Sequence, residues 1–92
     1  MTQPPRYSAT SLVAFAHALL ARAGMDDRCA ADVASILVEG DLLGHTTHGL
    51  QLLSPYLREV DAGTMRRDGA PSVIATHTAS ELWDGNRLPG PW

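Results

Sequence analysis

The sequence predicts an α+β architecture: a helical segment of three helices, the third broken near Pro55, followed by a short β-hairpin. Three observations carry this. Two apolar stripes recur at helical spacing between Leu12 and Gly40. Glycines at 24, 44 and 63 fall where each helical pattern stops. Val73, Ile74 and Thr76 then form a short β-branched run, and residues 80–84 can return beside it. The expected organisation is a lead-in over 1–7, a helical segment over 8–63, and a turn plus hairpin over 64–92.

The first helix starts after Tyr7. Ser8 can accept from the free N–H groups of the first turn, and Tyr7 can staple onto Leu12. Leu12, Phe15, Ala16, Leu19 and Ala23 define its buried stripe, and Gly24 ends it in a left-handed cap. His17 lies just off that stripe and reads as a structural side chain. Asp26 caps the second helix, and Asp27 places negative charge where the helix dipole favours it. Its stripe is Cys29, Val33, Ile36, Leu37 and Gly40. A glycine inside a helix costs roughly 1 kcal/mol relative to alanine, and a close helix crossing is the expected compensation at Gly40. Gly44 ends this helix.

Thr47 can cap the next helix, which makes His48 its first residue. Pro55 cannot donate to an earlier carbonyl, yet Ser54-Pro55 also reads as a cap followed by proline at the first helical position. The expectation is a short helix over 48–53, then a kink or fresh start to 61, ended by Gly63. Residues 64–71 form a basic, turn-rich connection. A strand over 72–77 pairs with 80–84 across Thr78-Ala79, and Asp84-Gly85 opens a turn.

Composition narrows the function. The chain has 92 residues, 45% apolar and 18% charged, with a net charge of −3. It contains no lysine, which removes Schiff-base chemistry and a phosphate-binding lysine. No basic run exceeds Arg66-Arg67, so no stripe tracks a phosphate backbone. Cys29 has no internal partner and reads as a small core residue. The start lacks the basic-then-apolar pattern of a secretory signal. Its apolar runs fall short of a membrane span. A cytoplasmic setting is expected.

Residues 40–56, Gly-Asp-Leu-Leu-Gly-His-Thr-Thr-His-Gly-Leu-Gln-Leu-Leu-Ser-Pro-Tyr, lie between helix-like segments and hold two of the four histidines. Loops held by rigid elements are where chemistry collects. Histidine exchanges protons near neutral pH, which suits it to general acid–base work. The motif from Gly40 to Leu50, with a Tyr eight residues after His48, resembles the type-2 malate/L-lactate dehydrogenase family. That family also includes ureidoglycolate, sulfolactate and diketogulonate oxidoreductases. The resemblance continues through residues 56–63 and 84–90 and so covers most of the chain.

Several expectations follow from the resemblance alone. The chain is an N-terminal part of a larger, non-Rossmann α/β dehydrogenase, ending before the cofactor-binding domain. The reaction is hydride transfer between NAD or NADP and a 2-hydroxy acid, and the intact protein is a homodimer. His48 is the catalytic residue, and Thr47 and Tyr56 contact substrate. Thr47 can equally act as a cap, and Tyr56 as a half-buried aromatic. Relatives similar to ureidoglycolate dehydrogenase place His, Arg and Tyr at i, i+4 and i+8. Here those positions are His48, Leu52 and Tyr56, so a carboxylate-clamping arginine is absent at 52.

No cofactor-binding residue is assigned, since Gly85 and Gly90 have neither the spacing nor the following helix of a nucleotide fingerprint. On its own the 92-residue chain is expected to be inactive and prone to self-association. Two other readings stand beside this one. The chain is a small helical interaction module without catalysis, or a metal-binding domain using His45, His48, Asp41 and His77. For the metal there is no second compact ligand pair.

Overall fold

The computed structural model describes residue 3 and residues 5–92. Of the expected lead-in over 1–7, residues 1, 2 and 4 lie outside the described residues. Helix α1 runs Ala9–Arg22 and α2 runs Asp27–Leu42. Two 3₁₀ turns follow, Thr46–His48 and Leu50–Leu52, and then α3, Leu53–Ala62. Strands β1, Ser72–Thr76, and β2, Glu81–Asp84, close the order as an antiparallel hairpin.

Both expected N-caps form. The Ser8 hydroxyl accepts from the Ser11 N–H at 3.3 Å, and the Asp26 carboxylate accepts from the Cys29 N–H at 3.3 Å. The Tyr7 staple does not form, because Tyr7 is exposed. Helix ends also follow the expectation. After α2, the Gly44 N–H donates to the Asp41 carbonyl at 3.0 Å and the His45 N–H to the Gly40 carbonyl at 2.9 Å. With Gly44 at φ +83°, that is a Schellman ending. The helices before Gly24 and Gly63 end in the same way.

The core lies between α1, α2 and the start and end of α3. It consists of Ala16, Leu20, Met25, Cys29, Ala30, Val33, Ala34, Leu37, Leu53 and Val60. The expected stripes are partly out of phase with it. Phe15 is 59% exposed and Ile36 44% exposed, while Leu20, absent from the expected stripe, is fully buried. Small residues, Ala16 on α1 and Ala30 and Ala34 on α2, fill the core beside Leu20. Centring the helix pair on them turns Phe15 and Ile36 outward. Across the same pair, the His17 Nε2 stands 2.8 Å from the Asp27 carboxylate, which gives His17 the structural role expected of it.

The third helix is broken, but not where proline alone would break it. The discontinuity lies at Gly49, extended at φ −102°, ψ −150°, between the two 3₁₀ turns. Pro55 sits in the first turn of α3, where its missing N–H leaves no hydrogen bond unmade. Ser54 is inside the helix rather than capping it.

The hairpin forms as expected, closed by the His77 N–H donating to the Ser80 carbonyl at 2.8 Å. The pairs are Ser72 with Asp84, Val73 with Trp83, Ala75 with Leu82, and Thr76 with Glu81. Ile74 is left out of register as a bulge. At its base the Asn86 side-chain amide donates to the Ala70 carbonyl and the Ser72 hydroxyl, each at 2.9 Å. Val73, Ile74, Leu82 and Trp83 are all more than half exposed, so the hairpin stands off the core. Trp92, by contrast, packs against the helical core with the Arg28 guanidinium 5.8 Å from its ring centre.

The accessible surface is 6547 Å², against roughly 5,200 Å² expected of a compact monomer of this mass. The radius of gyration, 15.1 Å, likewise exceeds the roughly 12 Å expected. The excess reflects the projecting arm, whose apolar faces find no cover among the described residues.

Candidate active site: the histidine turn on helix α2

The end of α2 fixes where the histidines stand. Gly44 reverses the chain, and His45 enters the first 3₁₀ turn. His48 closes that turn, its N–H donating to the His45 carbonyl at 2.9 Å. His48 is therefore the last residue of a tight turn, not the first of a helix, and the expected Thr47 cap is absent. The Thr47 hydroxyl instead lies 3.0 Å from His48 Nδ1. Its backbone sits inside the 3₁₀ turn, where it has no helix N-terminus to face.

Gly40 has a different partner from the expected helix. A Cβ there would come within 2.6 Å of the His48 carbonyl oxygen. The missing side chain thus seats the backbone of the histidine turn directly on α2. Gly49, next along, is buried, and any Cβ on it would run into the Asp41 carboxylate. Asp41 Oδ2 accepts from the Leu50 N–H at 2.9 Å.

A cavity of about 450 Å³ opens beside this turn, lined by Ile36, Glu39, Gly40, Leu43, His45 and His48. Ile36, Glu39, Gly40 and Leu43 recur at 36, 39, 40 and 43, which is one face of a helix. That spacing was a readable signal for a second face on α2, about a quarter turn round the helix from Val33 and Leu37. The two histidines are brought together here. Tyr56 and Leu52 do not line this cavity but pack against the core. The break at Gly49 removes the continuous helix that would have aligned His48 with Tyr56. Burial, and then the neighbouring Glu59 carboxylate, push the Tyr56 phenol above its ordinary pKa. No arginine lines the cavity.

Cys29 lies in the core. Burial first, then the charges of Asp26 and Asp32, push its thiol from 9.0 up to about 11, far from a reactive thiolate. Among the described residues no three His, Cys, Asp or Glu side chains converge as metal ligands. None of the described helices is long and apolar enough to cross a membrane.

A dinucleotide needs a seat for its pyrophosphate, and neither of the two longest helices offers one. The N-termini of α1 and α2, the usual anion seats, are already taken by Ser8 and Asp26. The histidine cavity carries Glu39 and no guanidinium. A second, polar cleft of about 300 Å³ sets Asp84 beside Arg66 and Arg87.

The family model described as malate/L-lactate dehydrogenase matches residues 7–92. Hydroxycarboxylate dehydrogenase B of Escherichia coli O157:H7 is 27% identical over 85 residues, 92% of this chain and 24% of that protein. Among solved structures, the malate dehydrogenase of Pyrococcus horikoshii OT3 superposes with a TM-score of 0.87 at 29% identity. That match covers 95% of this chain and 25% of the other. The malate dehydrogenase of Entamoeba histolytica gives a TM-score of 0.83 at 28% identity, over 94% and 24% of the two chains. With a helical body carrying a His-Gly turn and a matching hairpin arm, the chain belongs to the malate/L-lactate dehydrogenase family. It spans about a quarter of the length of the relatives it matches.

Proposed function

We propose that this chain is the N-terminal part of a nicotinamide-dependent dehydrogenase acting on a 2-hydroxy acid, and that His48 exchanges the substrate hydroxyl proton. The observation that carries the reading is the histidine turn: His48 beside an open cavity, with its Nδ1 already engaged by Thr47. That engagement leaves Nε2 as the nitrogen free to meet a substrate oxygen. A threonine hydroxyl both donates and accepts. With Nε2 acting as base, Nδ1 carries the ring hydrogen and donates it to the Thr47 hydroxyl oxygen, and it goes on donating in the imidazolium formed when Nε2 takes the substrate proton. Thr47 serves His48 in this reading, rather than binding substrate directly. Tyr56 contributes from the core side of α3, as a half-buried support.

NAD or NADP supplies hydride acceptance when bound, through residues outside this chain, and no step of that transfer is assigned to residues 1–92. A 2-hydroxy or 2-keto acid is the substrate class, and its carboxylate is held by a group other than residue 52, since Leu52 carries no guanidinium and packs against the core. A homodimer in the cytoplasm is the proposed setting of the intact enzyme. The test is NADH- and NADPH-linked reduction of a panel of 2-keto acids by the longest natural polypeptide carrying this segment. His48→Ala should lower kcat by roughly a hundredfold or more with folding intact. Undiminished turnover in that variant would move the proton chemistry elsewhere.

A further inference from the structure

We infer that Asp41 is the positioning residue of the histidine turn: its carboxylate, gripping the chain immediately after His48, fixes where the imidazole stands over the cavity. The inference rests on the proposed role of His48. Asp41 lies in the last turn of α2, yet its side chain is not spent on the helix end. The free groups at a helix C-terminus are carbonyls, which a carboxylate cannot serve and which the Gly44 and His45 N–H groups already satisfy. The carboxylate reaches across instead and accepts from the Leu50 N–H at 2.9 Å, two residues past His48.

Two glycines make that reach possible from opposite sides. Gly49 is bare where Asp41 lies against it, and Gly40 is bare where the His48 carbonyl seats on α2. The turn is thereby held at three successive residues: His48 by its carbonyl against Gly40, Gly49 by contact with Asp41, and Leu50 by a charge-assisted hydrogen bond. The neighbouring Thr47 acts on the ring, whereas Asp41 acts on the backbone. Catalytic groups lose rate steeply when displaced by even an ångström, so a clamp at this point sets the reactivity of His48 without touching substrate.

The first test uses the 92-residue chain and amide hydrogen exchange read by NMR. Asp41→Ala should speed Leu50 amide exchange roughly ten- to a hundredfold and shift the His48 and Gly49 backbone signals. The core amides of Ala34 and Leu37 should keep their rates. Should that variant fail to fold, Asp41→Asn decides instead: losing the charge should speed Leu50 amide exchange by about threefold or more, and unchanged exchange would overturn the inference.

The second test is turnover by the longest natural polypeptide carrying the segment. Asp41→Ala should lower kcat by about tenfold or more and leave KM for the keto acid nearly unchanged. Asp41→Asn, which keeps an oxygen acceptor, should recover most of the loss. A merely structural role would lower the active fraction and leave kcat per folded molecule alone. Unchanged Leu50 exchange in Asp41→Ala, or an unmoved kcat with Leu50 released, overturns the inference. Failure of the His48 reading would show separately, as full turnover in His48→Ala with the Leu50 result intact.

Discussion

The helical body and the hairpin arm spend comparable apolar side chains in opposite ways. In the body, Leu20, Val33, Leu37 and Val60 are fully buried among one another. In the arm, Val73, Ile74, Leu82 and Trp83 face solvent on a two-stranded ribbon. A lone hairpin is marginal in water, while two helices closed by capped ends and a third can hold a small core. The contrast shows that the body carries its own structural reason and the arm does not. It also places the candidate site on the self-supporting side, at the end of α2.

Substitutions should split along that line. Leu37→Ala, emptying the centre of the body, should cost about 2–5 kcal/mol in urea or thermal unfolding. Gly49→Ala should cost about 1–3 kcal/mol, because the new methyl must displace the Asp41 carboxylate. A cost there as small as at an exposed site would mean the histidine turn is not clamped. At the other extreme, Trp83→Ala in the arm should change monomer stability by less than about 1 kcal/mol. The same variant should reduce self-association, seen by sedimentation, since it removes an exposed apolar face.

Between these lies a pH effect. The Cys29 thiol titrates higher in the folded chain than in the unfolded one. Its contribution to stability is therefore full below about pH 9 and is lost as pH rises toward about 11. Cys29→Ala should flatten stability across that window, and an unchanged slope would place the thiol in contact with water.

What the sequence made legible follows the same division between local and distant causes. Caps at Ser8 and Asp26 and endings at Gly24, Gly44 and Gly63 were readable because each is decided within one turn of chain. The hairpin and its turn at Thr78-Ala79 were readable for the same reason. The phase of the core was less so: Phe15 and Ile36 fit the helical period as well as Leu20 does, and only the small residues across the α1–α2 contact choose between them. Gly40 announced a close approach, but its partner, the His48 backbone, comes from the next loop. His48 stood out by its residue type and motif. The use of Thr47 on Nδ1 and of Asp41 on Leu50 did not, because both depend on the 3₁₀ turns that Gly49 separates. The bulge at Ile74 had no local sign.

Residue-resolved amide hydrogen exchange on the 92-residue chain tests the central contrast most directly. Slow exchange through α1, α2 and α3 and at Leu50, with fast exchange across β1 and β2, is the predicted pattern. Equal protection of hairpin and helices would contradict it, as would rapid exchange at Leu50 alongside protected helices, because the histidine turn would then not be held by the body.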